Sequence, residues 1–225
     1  MKSFCRILTL SVALGLISGT VCAGPDRGAT PPRALVLLGE WFGDAWFPLE
    51  KELARRGWAV QKVGVEAEYR GCYNKDRSIV LRSDVLIKDI HDLSPYDCLI
   101  IPSGPQFRKF KENPDVLKFI RDVHAAGLTV ASFCVGNFLV EAAGLASFPN
   151  GQASFPAEVT RLGDRLIVGP RGGGPPPGDG FKSAPVKEIL DAVARELGPR
   201  DRAAASYLGE PPPGLTPRLF APEDK

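Results

Sequence analysis

The sequence predicts an α/β fold in which a mostly parallel sheet is covered by helices on both faces. Three continuous apolar runs, at 34–38, 98–101 and 128–133, have the length and composition of strands that are buried on both sides. Segments with helical periodicity follow these runs. Strands that alternate with helices favour parallel pairing through helical crossovers.

The first helix is predicted directly after the first apolar run. Asp44 is a candidate N-cap, Leu49 and Leu53 are spaced as on one helix face, and Gly57 marks the end of the helix. The segment 58–63 then predicts the second strand.

The middle of the chain contains one irregular segment and one well-marked helix. The segment 69–82 has mixed charge and no clear period, which predicts an excursion containing a hairpin or a loop. After the strand at 98–101, Asn113 is the predicted N-cap of the next helix. Pro114 takes the first helical position, where its missing N–H costs nothing, and Gly127 ends the helix.

Two further helices and one strand are predicted beyond the third apolar run. The helices cover 137–143 and 186–197, the second starting after Ser183, and the weak strand covers 166–168.

Two segments are too rich in glycine and proline for regular structure, one at 169–180 and one at 199–225. We therefore expect one domain at 33–198, followed by a Pro-rich C-terminal tail at 199–225.

The first 23 residues have the features of a signal peptide. Lys2 and Arg6 precede an apolar run at 7–17, and small residues lead up to Ala23. The run is short for a spanning helix, which needs about 20 apolar residues, although an uncleaved signal-anchor is the alternative. We expect cleavage after Ala23, a secreted or periplasmic location, and no membrane attachment afterwards.

The charge balance argues against a nucleic-acid partner. Cleavage would remove two of the 28 basic residues and no acidic one, which leaves 26 residues of each sign. No block of Lys or Arg remains that could neutralise a row of phosphates.

Three cysteines remain after cleavage, namely Cys72, Cys98 and Cys134. An odd number in an oxidising compartment leaves at least one thiol outside any internal disulfide. This suits a protein that keeps one thiol for chemistry.

Cys134 is the candidate nucleophile because it lies between a predicted strand and a predicted helix. A sharp turn at that point needs small residues two before and two after the nucleophile, and Ser132 and Gly136 supply them. N–H groups and the dipole at a helix N-terminus favour thiolate over thiol. The alternative is a buried structural cysteine.

Residues 33–145 resemble the ThiJ/PfpI family, within the class I glutamine amidotransferase-like superfamily. The matching stretches are RALVLLG at 33–39, YDCLIIPSG at 96–104 and LTVASFCVG at 128–136. The resemblance implies a flavodoxin-like three-layer sandwich with a Cys strand-to-helix elbow, and it implies a homodimer.

The resemblance also implies the site around Cys134. The backbone N–H groups of Gly104 and Val135 would form an oxyanion hole. The family usually presents an acidic residue after the first strand, but the aligned positions here hold Gly43 and Trp46.

Glu40 is the candidate acid, although Glu40 and Asp44 both lie near the expected place but out of register. Family hydrolases often carry His directly after the Cys, where this chain has Val135. His91 and His124 both precede their strands, so neither is expected at the carboxyl edge of the sheet, and a Cys–His dyad is not expected.

The sequence predicts neither a metal nor a cofactor. Two His and three Cys lack zinc-ligand spacing, and the glycine run at 172–174 lacks the Lys-Ser/Thr of a phosphate-binding loop. Four aromatic residues after the first strand could wall an apolar pocket, form a dimer interface or simply pack; these are Trp41, Phe42, Trp46 and Phe47.

Three functions remain open. The first is a Cys-dependent hydrolase or a glyoxalase/deglycase-like enzyme that acts on small carbonyl compounds. The second is a non-catalytic redox-sensing or binding protein that has lost its His and its acid. The third is a partner-binding module that uses the Pro-rich tail.

Overall fold

The computed structural model describes residues 30–40, 42–43, 45–73, 78–105, 107–148, 156–170 and 185–198. The predicted signal peptide, the Pro-rich tail, Asp44 and Ser183 lie outside these residues.

The strands are β1 Arg33–Leu37, β2 Phe42–Gly43, β3 Ala59–Gly64, β4 Glu68–Arg70, β5 Cys72–Tyr73, β6 Val80–Arg82, β7 Val85–Leu86, β8 Cys98–Ile101, β9 Thr129–Phe133, β10 Thr160–Arg161 and β11 Leu166–Gly169. The helices are α1 Trp46–Arg55, α2 Phe107–Phe110, α3 Pro114–Ala125, α4 Asn137–Ala142 and α5 Val186–Leu197, with 3₁₀ turns at Ile87–Asp89 and Cys134–Gly136.

The central sheet has seven strands in the order β10-β11-β9-β8-β1-β3-β7. All neighbouring pairs are parallel except β10 with β11. Every residue of β8, β9 and β11 is buried, as expected for strands covered on both faces. The strand that leads to Cys134 therefore lies in the interior of a mostly parallel sheet, and this prediction is confirmed.

The helices form a layer on each face of the sheet. The crossover from β1 to β3 and the crossover from β8 to β9 run in opposite directions along the sheet. Since parallel crossovers are right-handed, α1 and α3 lie on opposite faces. On the face of α1, α5 packs against α1, β9 and β11, whereas α3 packs against β8 and β9. The predicted three-layer α/β sandwich is confirmed.

Several local predictions hold, with small shifts at the element ends. Asn113 caps α3, because its Oδ1 accepts from the backbone N–H groups of Asp115 at 3.0 Å and Val116 at 3.2 Å. The segment 69–82 contains the predicted hairpin, in which β4 pairs antiparallel with β6. At the start of α1, Ala45 takes the N-cap position without a side-chain hydrogen bond.

None of the helices in the described ranges is both long enough and apolar enough to cross a membrane.

Candidate functional site

Cys134 follows the last residue of β9 and adopts a left-handed backbone conformation, with φ of 53°. Within the described residues, Arg165 is the other residue besides glycine with positive φ. This conformation costs an L-residue roughly 1–2 kcal/mol, so it persists only where the surroundings hold it in place. The strand therefore ends in a strained elbow that points the chain into the 3₁₀ turn and then into α4.

The elbow packs closely against the end of β8. A Cβ atom built on Gly136 would lie 2.7 Å from the carbonyl oxygen of Ile101 and 3.1 Å from that of Pro102. Glycine is therefore the residue that permits this approach. Gly104 is buried and lies two residues beyond Pro102. The turn that contains Cys134 and Val135 thus shares the carboxyl edge of the sheet with the loop that contains Gly104.

The elbow is also bonded to the end of β11, on its other side. The Cys134 N–H donates to the carbonyl oxygen of Pro170 at 3.2 Å. The Asn137 side chain donates through Nδ2 to the carbonyl oxygen of Gly169 at 2.9 Å. The Ser132 hydroxyl in turn donates to Asn137 Oδ1 at 2.7 Å. The sequence predicts Ser132 only as a small residue and Asn137 only as the first residue of a helix, so these hydrogen bonds are new findings of the structure.

The two described thiols differ in their place on the sheet. Cys134 is 5% exposed at the edge, whereas Cys98 is 0% exposed inside β8. The backbone of Cys72 lies in β5, and its side chain falls outside the description. The helix after the elbow, α4, has only six residues, so Cys134 precedes a short helix and not a long one.

Glu40, the candidate acid, lies in the loop after β1 and is engaged by another residue. Its carboxylate accepts a hydrogen bond from the ammonium group of Lys109, on α2. This contact raises the pKa of Lys109. Glu40 shares the carboxyl edge with Cys134, but β1 lies two strands from β9. At the two positions where the family usually has its acid, Trp46 is buried at the start of α1, and Gly43, being a glycine, offers no acidic group.

Neither histidine of the chain meets Cys134. His91 is exposed in the segment that leads from β7 to β8. The Nε2 atom of His124 lies 2.9 Å from the carbonyl oxygen of Asp164, which precedes β11 at the amino edge of the sheet. The five residues of β9, about 16 Å of strand, separate that edge from the elbow. Both histidines therefore lie away from the elbow.

Two aromatic pairs lie in segments that follow the strands at this edge. Phe42 and Phe47 meet edge to face, with ring centroids 6.3 Å apart. Phe107 and Phe138 are stacked at 4.8 Å and join α2 to α4, one helical turn beyond Cys134. The second pair was not predicted. Trp41 lies outside the described residues.

Among the residues that the structure describes, no group of three or more His, Cys, Asp or Glu side chains could hold a metal ion.

A parallel sheet with a cysteine elbow at the carboxyl edge of an interior strand defines a class of α/β proteins, and the comparisons identify the family. The model of the DJ-1/PfpI family matches residues 32–152. The chain belongs to the DJ-1/PfpI family. The resemblance found in the sequence is confirmed.

Solved structures share the fold at low sequence identity. Drosophila melanogaster DJ-1beta is 18% identical with a TM-score of 0.56, over 78% of this chain and 95% of that one. A mutant of a DJ-1 superfamily protein from Salmonella typhimurium is 21% identical with a TM-score of 0.55, over 78% and 98%.

A two-domain protein from Anabaena variabilis, with DJ-1/ThiJ/PfpI-like and ferritin-like domains, is 19% identical with a TM-score of 0.52. There the match covers 61% of this chain and 43% of that one. At these identities the likeness shows the fold alone. No curated protein sequence matches this chain significantly.

Proposed function

We propose that this protein is a Cys-dependent enzyme that acts on small carbonyl compounds, as a hydrolase or in a glyoxalase/deglycase-like reaction. The observation that carries the proposal is the left-handed conformation of Cys134 at the edge of an interior strand. A strained, non-glycine residue at a strand-to-helix turn is how other enzymes present a nucleophile to a substrate.

In the proposed reaction, the Cys134 thiolate attacks the carbonyl carbon of the substrate and forms a C–S bond. The π electron pair moves to the carbonyl oxygen, and the backbone N–H groups of Gly104 and Val135 stabilise the resulting oxyanion. In the hydrolase reaction, the oxyanion collapses, the bond to the amine or alcohol breaks, and that group leaves with a proton; water then cleaves the C–S bond of the thioester and restores the thiol. With a 2-oxoaldehyde, the hydrogen on the aldehyde carbon moves to the neighbouring ketone carbon, which converts the adduct into the thioester of a 2-hydroxy acid. Water cleaves this thioester as well, so the net reaction adds one water and needs no external oxidant.

A second candidate is a redox sensor, and the position of Glu40 favours it. Its carboxylate is held by Lys109, and both histidines lie away from the elbow. In this reaction, the Cys134 thiolate takes one oxygen from a peroxide and becomes a sulfenic acid, while the peroxide is reduced to water.

One experiment separates the two candidates. The full-length chain is incubated with methylglyoxal, and lactate formation is followed; a parallel sample receives hydrogen peroxide, and oxygen addition at Cys134 is followed by mass spectrometry. The proposal expects multiple turnovers of methylglyoxal. Stoichiometric oxidation of Cys134 with no turnover of methylglyoxal, amides or esters would instead assign the sensor function.

We also propose that the protein is exported and forms a homodimer, from residues 1–23 and from the family resemblance. Native mass spectrometry of protein purified from its host should show two chains, each with an N-terminus near Gly24. A cytoplasmic monomer that retains Met1 would contradict both parts.

A further inference from the structure

We infer that Asn137 is a positioning residue that holds the Cys134 elbow, and this inference rests on the proposed function of Cys134. Asn137 is 1% exposed, so its side chain cannot contact a substrate from solvent. The side-chain amide of Asn137 accepts a hydrogen bond from the Ser132 hydroxyl and donates one to the carbonyl oxygen of Gly169.

The two hydrogen bonds enclose the elbow. Ser132 lies two residues before Cys134 and Asn137 lies three residues after it, so their bond joins the two arms of the turn. The bond to Gly169 then fixes the joined arms to the end of β11. At the residue that follows β11, the Pro170 carbonyl accepts from the Cys134 N–H itself. The turn is thus held by two successive carbonyl groups of the neighbouring strand end.

A buried polar side chain is costly unless its hydrogen bonds are made, and an apolar residue could fill the same space without that requirement. Asn137 meets this requirement with one partner on β9 for its oxygen and one on β11 for its nitrogen. A residue with φ of 53°, such as Cys134, needs surroundings that hold it in place. The Asn137 contacts supply this restraint from within the turn, and they restrict the direction in which the Cys134 side chain leaves the backbone.

Three variants of the full-length chain test the inference. Asn137→Ala removes both bonds, Asn137→Asp keeps the acceptor for the Ser132 hydroxyl but loses the donor to Gly169, and Ser132→Ala removes one bond. Ile167→Val is the matched control, because it removes one methylene from buried β11 without touching a hydrogen bond. The first measurement is hydrogen exchange of a peptide that covers 133–139.

We expect exchange in this peptide to rise about tenfold or more in Asn137→Ala, with peptides from α1 and α3 unchanged. Asn137→Asp and Ser132→Ala should show smaller increases in the same peptide, and Ile167→Val should show none. The inference is overturned if Asn137→Ala raises exchange equally in all peptides of the chain. It is also overturned if exchange in the peptide 133–139 rises no more in Asn137→Ala than in Ile167→Val. If Asn137→Ala does not fold, the other two variants decide by the same criteria.

The second measurement is steady-state turnover of methylglyoxal. The positioning role predicts that kcat falls about tenfold or more in Asn137→Ala, whereas KM stays within about twofold, because Asn137 does not reach the substrate. A rise in KM with unchanged kcat overturns the positioning role. If the unsubstituted chain has no turnover, the proposed function fails, and hydrogen exchange alone decides the inference.

Discussion

Cys134→Ser is expected to lower the turnover of methylglyoxal by about 10³-fold or more, down to the background rate. The serine hydroxyl stays protonated near neutral pH, and neither histidine of the chain lies near the elbow to remove its proton. A thiol depends less on such a partner than a hydroxyl does, because sulfur is intrinsically the stronger nucleophile. Steady-state lactate formation measures the effect.

Cys98→Ala is the control for Cys134→Ser. It removes the other described thiol, which is wholly buried in β8 and has no route to a substrate. Its turnover should stay within about twofold of the unsubstituted chain once the folded fraction is matched. Turnover that survives Cys134→Ser, or that falls equally in both variants, would contradict the assignment of Cys134 as the nucleophile.

Gly136→Ala is expected to disrupt the elbow, although the backbone angles of Gly136 suit any residue. With φ of −60° and ψ of −27°, Gly136 is not in a region reserved for glycine. The added methyl group would instead lie 2.7 Å from the Ile101 carbonyl oxygen, which belongs to a buried strand and cannot move freely. The turn must therefore separate from β8, at a cost of about 1–3 kcal/mol in unfolding free energy.

The same displacement should reduce turnover by about 10²-fold, because it separates Cys134 from the loop that contains Gly104. Urea unfolding and methylglyoxal turnover measure the two effects. Gly57→Ala is the control: Gly57 has φ of 66° and open space around it, at the far end of α1. It should lose stability without losing turnover. An active, fully stable Gly136→Ala variant would show that the close contact is unnecessary.

The sequence predicts the central strands and the N-cap of α3 well, because local signals determine them, whereas Ala45 and Pro185 take the N-cap positions of α1 and α5. The run at 98–101 is buried on both faces, so its continuous apolar character marks the strand without ambiguity. Asn113 followed by Pro114 is an equally local signal, and its side chain makes the predicted capping bonds. The turn at Cys134 was predicted for the same reason, from the small residues that flank it.

The contacts that complete the site join residues far apart in the sequence, and a local pattern does not contain them. The bond from Asn137 to Gly169 spans 32 residues, and the ion pair of Lys109 with Glu40 spans 69. The sequence gives Glu40 as an acid near the expected place, but only the fold shows which cation engages it. An Asn at the start of the helix predicted after Cys134 is the signal in the sequence that could have indicated Asn137.

The order of alkylation of Cys72, Cys98 and Cys134 tests the central claim most directly. The folded, full-length chain is treated with iodoacetamide across a pH series, and each cysteine peptide is quantified by mass spectrometry, with Cys134→Ser as the control. We expect Cys134 to react first, about tenfold or more faster than Cys98, which is enclosed within β8. A chain in which Cys72 reacts faster at every pH while Cys134 stays inert would contradict the account and leave Cys134 as a structural cysteine.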